Sequence, residues 1–157
     1  MRIAVVSDSH GNLLMLEKAL SMCGAVDMII HLGDYYKDIL KVSSNYKGQI
    51  EYVLGNNDYG NDVGYEKIIT VNGKRIFMTH GHRYGVYNGL DSLYFKALEL
   101  KADVILYGHS HIQRKDETPN MIFLNPGSVS LPRDHAPGCA VIEISDKGNI
   151  EVKLIRL

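Results

Sequence analysis

Five apolar runs in this sequence are each followed by a short segment that combines glycine with Asp, Asn or His. The runs are RIAVVS, DMIIHL, IEYVL, KRIFMT and ADVILY, and the segments that follow them are DSHG, GD, GNND, HGH and GHSH. Short runs rich in β-branched residues and bounded by turn formers predict strands, and their near-continuous apolar character favours sheets covered on both faces. In such folds ligands bind beyond the carboxyl ends of strands. The polar segments are therefore candidates for one shared site.

The rest of the chain predicts an α/β protein. Three further strand-like runs, NMIFLN, CAVIEI and IEVKLIRL, fall in its last third. Apolar residues recur at helical spacing in NLLMLEKALSMCG and in NGLDSLYFKALELKA, and Gly24 is placed to end the first helix. VNGK at 71–74 predicts a two-residue hairpin turn. We expect one domain over residues 1–157, with a mixed sheet and a last third that is mostly strand.

Composition excludes several classes of protein. The 157 residues suffice for a full core, and a formal net charge of −1 provides no general attraction for nucleic acid or anionic membranes. No apolar run approaches the roughly 18 residues of a membrane span, and the N-terminal run is too short for a signal peptide. We therefore expect a cytoplasmic location. Cys23 and Cys139 are predicted to be buried apolar residues rather than a redox pair.

The polar segments together predict a metal site. Each segment alone is typical of a helix cap or a turn, but nothing in turn formation requires histidine at so many strand ends. Mixed His, Asp and Asn ligands suit Mn, Fe, Zn, Co or Ni. The candidates are too many for one ion, whereas two ions about 3.5–4 Å apart are the arrangement of phosphoesterases and related hydrolases.

In this order, Asp-x-His, Gly-Asp, Gly-Asn-x-Asp, His-Gly-His and Gly-His-x-His resemble the calcineurin-like metallophosphoesterase superfamily. The DSHGN start and the later LNPGSVSLPR look like its small bacterial and archaeal phosphodiesterase branch, which is itself similar to the retromer subunit Vps29. The resemblance spans residues 1 to about 135. It implies an α/β fold in which two mixed β-sheets pack as a sandwich flanked by α-helices, in four layers.

The resemblance also implies a ligand set and a reaction. Asp8, His10, Asp34 and His111 would hold the first ion, and Asn56, His80 and His109 the second, with Asp34 bridging. Two divalent ions per chain are expected, with Mn first and Ni, Fe or Zn as alternatives. The implied activity is a divalent-metal-dependent phosphoesterase, with a small-molecule phosphodiester favoured as substrate. A metal-bridging hydroxide would attack phosphorus at the dinuclear centre.

One position departs from the superfamily pattern. Many members have His where this chain has Asn57, and an amide cannot donate a proton to a leaving group at neutral pH. We predict that Asn57 orients a phosphate oxygen and that His82 is a candidate for proton transfer, with a structural role as its alternative. Arg83 and Arg133 are weaker candidates for substrate contact.

Three other residues are expected to support the site rather than bind metal, and a fourth is expected to lie in the core. Asp58 would orient loop groups, Asn125 and Ser128 would shape the neighbouring loop, and His31 reads as a core histidine.

Two other functions stay open. The first is a Vps29-like protein-interaction scaffold with a vestigial metal site, against which the complete ligand set argues. The second is a nuclease, which the lack of basic clusters with interleaved aromatic residues disfavours. Tyrosines near the motifs could stack on a nucleoside, although covering apolar surface is their commoner role. A homodimer is an expectation by analogy only.

Overall fold

The computed structural model describes residues 1–60 and 63–157, which form ten strands and three α-helices. The strands are β1 (Arg2–Val6), β2 (Met28–His31), β3 (Gln49–Tyr52), β4 (Glu66–Val71), β5 (Lys74–Thr79), β6 (Val104–Leu106), β7 (Gln113–Glu117), β8 (Ile122–Pro126), β9 (Gly138–Ile144) and β10 (Ile150–Arg156). The helices are α1 (Leu13–Cys23), α2 (Lys37–Val42) and α3 (Asp91–Leu100), with a 3-10 turn at His82–Tyr84. Within this described part of the chain, no helix has the length and apolar character needed to cross a membrane.

The strands form two mixed sheets, as predicted. The first has the order β10-β9-β1-β2-β3, in which β1, β2 and β3 run parallel and β9 and β10 pair antiparallel. The second has the order β4-β5-β6-β8-β7, in which β5, β6 and β8 run parallel between two antiparallel edge strands. Within each sheet the parallel strands present their carboxyl ends at the same edge.

Alternating side chains divide the core into layers. Along β1, Ile3 and Val5 face the second sheet, whereas Ala4 and Val6 face the helices, as the two-residue period of a strand requires. The outer face of the first sheet packs against α1 and α2 through Leu16 and Ile39 among others. The outer face of the second sheet packs against α3 in the same way. The layers therefore run helix, sheet, sheet, helix, and the predicted fold is confirmed.

Local sequence signals predicted most elements. All eight apolar runs form strands, and the VNGK hairpin turn has the expected backbone, with φ of 47° at Asn72 and 77° at Gly73. Helix α1 ends at Cys23, next to Gly24 with φ of 71°. Strand β4, strand β7 and helix α2 were not predicted. The sequence of β7, QRKDE, has no apolar run that would indicate a strand. This edge strand is held in the sheet by its pairing with β8.

Both cysteines are fully buried, as predicted. Cys23 lies at the end of α1 and Cys139 in β9, and their sulfur atoms are 3.6 Å apart without a disulfide. The two thiols belong to the apolar layer between α1 and the first sheet.

Candidate metal centre

The polar segments meet where the two sheets present the carboxyl ends of their parallel strands. Asp8 and Asp34 follow β1 and β2 of the first sheet, and His80 and His111 follow β5 and β6 of the second. His80 Nε2 lies 3.4 Å from Asp34 Oδ1, and His111 Nε2 lies 3.1 Å from Asp8 Oδ1. Carboxylates from one sheet therefore face imidazoles from the other.

Asp8, His10, Asp34 and His111 form a compact group. One potential ligand atom from each lies within 4.8 Å of those of the other three. His10 Nε2 is 3.6 Å from Asp34 Oδ2 and 3.3 Å from His111 Nε2. Both carboxylates and His111 are buried, and His10 is partly exposed. These four residues are the set predicted for the first ion; ligation itself stays a prediction.

Three further candidates lie on the other side of Asp34. His80 Nε2 is 3.1 Å from Asn56 Oδ1, and the rings of His80 and His109 have centroids 5.1 Å apart. Asp34 directs Oδ1 toward His80 and Oδ2 toward His10. This carboxylate therefore lies between the two groups, which is the position that a bridging ligand needs.

Hydrogen bonds to backbone carbonyls fix the tautomers of two imidazoles. His80 Nδ1 donates to Leu32 O at 2.8 Å, and His111 Nδ1 donates to Leu131 O at 2.6 Å. Because Nδ1 carries the hydrogen in each neutral ring, Nε2 directs a lone pair at the carboxylates. Asp8 Oδ1 is buried and has no aligned donor among the described residues. Opposed lone pairs in a buried space repel unless a cation lies between them, so these residues fit a metal ion.

The electrostatics of the centre favour an ionised Asp8. Burial alone would raise the pKa of Asp8, but the neighbouring His111 and His80 outweigh burial and hold this pKa below the usual carboxyl value. Burial alone would lower the pKa of His111, but in the metal-free protein Asp8 raises it above the ordinary value of 6.5, because a proton on Nε2 then lies between the facing lone pairs. Burial, reinforced by His80, lowers the pKa of His109 to about 4. His109 is therefore neutral at pH 7 and has a lone pair available.

Five of the seven candidate ligands have left-handed backbone conformations. Their φ angles are 56°, 47°, 58°, 65° and 59° at Asp8, His10, Asp34, His109 and His111. This region costs a residue other than glycine about 1–3 kcal/mol. Such strain persists only where the surrounding structure fixes it, and it is concentrated here on the residues that face one another.

Two glycines allow the loops to approach closely. A Cβ atom on Gly55 would lie 2.1 Å from Asp34 Oδ1, and a Cβ atom on Gly108 would lie 2.1 Å from Ser7 Oγ and 2.9 Å from Asp8 Oδ2. Neither space admits a side chain. The glycines next to the polar residues, noted in the sequence, are therefore a packing requirement of the centre.

The residues expected to support the loops do contact them. The Asp58 carboxylate accepts hydrogen bonds from the backbone N–H groups of Tyr35, Tyr36 and Gly55. In the loop after β8, Ser128 Oγ donates to Asp8 O at 2.8 Å.

Asn125, at the end of β8, supports the loop that carries His109 and His111. Its Nδ2 donates to Gly108 O at 2.9 Å and to Ser110 Oγ at 3.0 Å.

A buried polar chain behind the centre was only partly anticipated. His31 Nδ1 accepts from Gly33 N at 3.2 Å, so its Nε2–H faces Ser9 Oγ, also at 3.2 Å. Ser9 Oγ donates in turn to Asp38 Oδ2 at 2.9 Å, and Asp38 also accepts from Gly11 N. Sequence reasoning identified His31 as a core histidine but missed Ser9 and Asp38. Asp38 lies in the short helix α2, which was itself not predicted.

The two catalytic candidates both border the centre. Asn57 donates from its backbone N to Asp34 Oδ1 at 2.9 Å and from Nδ2 to Asp34 Oδ2 at 2.6 Å. The ring of His82 lies 5.5 Å from that of His80, and its Nδ1 is buried without a hydrogen-bond partner among the described residues. Burial, together with His80, lowers the pKa of His82.

Two tyrosines and two arginines form a rim at the candidate centre. The sequence indicated the arginines as candidates for substrate contact, but not their pairing with the tyrosines. Tyr87 contacts the ring of His109 at 4.8 Å, and Arg133 lies 5.3 Å from the centroid of Tyr87. Tyr65 contacts His82 at 5.6 Å, and Arg83 lies 5.2 Å from the Tyr65 ring. All four rim side chains belong to exposed residues.

Fold and site together define a class of protein: an αββα sandwich with a histidine–carboxylate centre at the carboxyl ends of its parallel strands. Residues 1–147 match the family model described as the calcineurin-like phosphoesterase superfamily domain. The chain belongs to this superfamily, as its five motifs predict.

Similar proteins agree with this assignment. The probable metallophosphoesterase YsnB of Bacillus subtilis is 36% identical over 140 residues, covering 85% of this chain and 78% of the relative. The phosphodiesterase MJ0936 of Methanocaldococcus jannaschii is 27% identical over 174 residues, covering 98% of this chain and 99% of the relative. The prediction of a phosphoric ester hydrolase is confirmed at the level of the family.

Solved structures show the same fold. A predicted phosphoesterase from Streptococcus pneumoniae aligns with a TM-score of 0.80 and 29% identity, covering 99% of this chain and 88% of the other. Vps29 from Entamoeba histolytica, solved in complex with zinc, aligns with a TM-score of 0.78 and 19% identity, with 99% of both chains covered. The second likeness is evidence of fold alone, and it confirms the expected similarity to Vps29 at that level.

Proposed function

We propose that this protein is a divalent-metal-dependent phosphodiesterase with a dinuclear centre. The position of Asp34 is the observation that carries the proposal. Its two carboxylate oxygens face two separate groups of side chains, with His80 on one side and His10 on the other. A carboxylate shared in this way supports two ions close together, which is the arrangement suited to in-line attack on phosphorus.

In this proposal Asp8, His10, Asp34 and His111 hold the first ion. Asn56, His80 and His109 hold the second, with Asp34 shared. The donor set is nitrogen and oxygen only, which suits Mn first, with Ni, Fe or Zn as alternatives.

When bound, the ions supply an activated water as nucleophile and stabilise the charge that develops on the phosphate oxygens. The residues of this chain then have distinct tasks. Asn57 orients Asp34 and offers its remaining amide hydrogen to a phosphate oxygen. His82 is the proposed proton-transfer group, because its buried Nδ1 lies beside the centre without a partner among the described residues.

We favour a small-molecule phosphodiester as substrate. The Methanocaldococcus relative bears the name phosphodiesterase, and the net charge of −1 argues against nucleic acid. A cytoplasmic location and a homodimer stay predictions.

The test is metal dependence combined with substitution of Asp34. Protein stripped of metal is assayed on matched chromogenic phosphodiester and phosphomonoester substrates, with Mn, Ni, Zn or Mg added back. We expect diester hydrolysis only with added metal. We expect Asp34→Asn to lower it by about 100-fold or more, because the loss of a shared ligand should exceed the roughly 10- to 100-fold cost of changing a group that only supports a ligand.

Asp146→Asn, the same change at an exposed residue, is the matched control and should retain full activity. A folded wild type that binds metal yet cleaves neither ester would contradict the proposal. That result would favour the Vps29-like scaffold.

A further inference from the structure

Arg133 is held at the rim of the metal centre by Tyr87. Its Nη1 donates to the Tyr87 hydroxyl, and its guanidinium carbon lies 5.3 Å from the centroid of the ring. The Tyr87 hydroxyl donates in turn to His109 O at 2.8 Å, and its ring packs on the His109 imidazole. A guanidinium fixed by a hydrogen bond and an aromatic face loses little conformational freedom when it binds an anion.

This guanidinium has no carboxylate partner among the described residues. Three other arginines form ion pairs, namely Arg2 with Glu143, Arg114 with Asp116 and Arg156 with Asp134. Arg133 is exposed, and within residues 1–60 and 63–157 its side chain forms one hydrogen bond, to the Tyr87 hydroxyl. Most of its N–H donors therefore remain available for an anionic ligand.

Arg133 is also tied to the candidate ligands through the backbone. Its N–H donates to His111 O at 3.0 Å, next to the imidazole that faces Asp8. Through Tyr87 the same residue borders His109. Arg133 therefore contacts the loop of His109 and His111, directly through its backbone and indirectly through Tyr87.

Asn57, another candidate for phosphate contact, is neutral and partly engaged. Asn57 directs Nδ2 to Asp34 Oδ2 at 2.6 Å, which leaves one amide hydrogen for a ligand. A neutral amide cannot balance the charge of a phosphate group. A planar guanidinium matches phosphate oxygens in both charge and geometry.

We propose that Arg133, positioned by Tyr87, binds a non-bridging oxygen of the substrate's phosphoryl group, so that the pair forms an oxyanion subsite beside the metal centre. The inference rests on the proposed phosphodiesterase function, because it assumes that the phosphoryl group lies at this centre. It assigns substrate binding to Arg133 and positioning to Tyr87.

Binding of inorganic phosphate tests the subsite directly. Isothermal titration calorimetry on the Mn-loaded protein gives the Kd for phosphate, and elemental analysis gives the metal content. Loss of a charge-assisted hydrogen bond in Arg133→Met should weaken phosphate binding by about 10- to 100-fold with unchanged metal content. Arg133→Lys should fall between this variant and the wild type. Tyr87→Phe keeps the ring but loses the hydroxyl, and should weaken binding by about 2- to 10-fold.

Two controls separate contact from a structural role. Arg114→Met removes an exposed arginine of β7 that pairs with Asp116, and should leave the Kd unchanged. In Arg133→Ala, millimolar guanidinium should restore part of the lost phosphate binding, which a structural role would not explain.

The outcomes also distinguish this inference from the proposed function. A wild-type Kd in Arg133→Met, joint loss of metal and phosphate in that variant, or a wild type that binds no phosphate would each overturn the subsite. A wild type that binds phosphate through Arg133 but hydrolyses neither ester would overturn the phosphodiesterase and support the subsite.

Discussion

His31 connects two loops of the metal centre without facing it. The Gly33 N–H fixes its tautomer, and its Nε2–H reaches Ser9, one residue before His10. Burial lowers the pKa of His31 to about 4. The neutral ring is therefore built into the native structure, and its protonation would leave a charge in a fully buried space.

Acid should destabilise the fold through His31. In unfolded chains this residue takes up a proton near pH 6.5, whereas in the native state it does so only near pH 4. Between these values the unfolded state binds more protons, so stability falls as pH falls, by on the order of 3 kcal/mol in total. Urea unfolding of metal-free protein from pH 7.5 downward measures the slope.

In His31→Gln, which keeps an N–H donor but cannot titrate, this part of the slope should vanish. His135→Gln, at an exposed loop histidine, should keep it. Equal slopes in wild type and His31→Gln would show that His31 is not the origin.

The turns after the strands determine how closely the loops approach. After β3, the chain passes Asp34 so closely that only glycine fits at position 55. The obstructing atoms are Asp34 Oδ1 and Asp34 N, and the backbone atom cannot move aside cheaply. A side chain at this position must therefore displace the carboxylate that both groups of the centre share.

Gly55→Ala should weaken metal binding by about 10- to 100-fold and cost about 1–3 kcal/mol of stability, as overpacking does. Gly60→Ala is the matched control, because among the residues that the structure describes a Cβ atom there would meet only the Tyr36 hydroxyl, at 3.7 Å. Metal titration and urea unfolding of both variants measure the effects. Equal metal affinity in the two would contradict the steric argument.

Strands and helices were predictable from the sequence where their own residues favour that secondary structure. The run ADVILY predicted β6, because a strand buried on both faces needs apolar residues throughout. Strand β7 carries charged side chains and depends on its partner β8, and α2 has only six residues, too few for a clear helical period. Both elements are specified by tertiary contacts that lie outside their own sequence.

The centre joins both sheets, so a bound ion should stabilise the whole molecule. A ligand at 100 times its Kd adds about 2.7 kcal/mol to the stability. For a chain of 157 residues this corresponds to a rise in Tm of about 5–10 °C. Thermal unfolding of stripped protein with Mn added, and then with chelator in excess, measures the change.

His80→Gln should lose most of this rise, because it removes an imidazole that faces Asp34 across the two sheets. His135→Gln should keep it. An identical Tm with and without metal in the wild type would show that the ions do not tie the sheets together.

The convergence of the candidate ligands was predictable, but their geometry was not. Parallel strands direct their carboxyl ends to one edge, so the five motifs sufficed to predict a cluster. Which oxygen of Asp34 faces which histidine depends on the packing of one sheet on the other. The bond between Arg133 and Tyr87 joins residues 46 positions apart in separate loops, and no local pattern indicates it.

The place of β1 in the first sheet has a consequence for how the protein is made. This strand lies between β2 and β9, and the carbonyl of Asp8 accepts hydrogen bonds from Ser128 and Ser130. During synthesis on the ribosome, the first ligand loop emerges long before these supports. The nascent chain must hold β1 with one edge unpaired until residues 138–144 leave the exit tunnel. The centre, whose first candidate ligand directly follows β1, is therefore completed only after the segment of β9 has been synthesised.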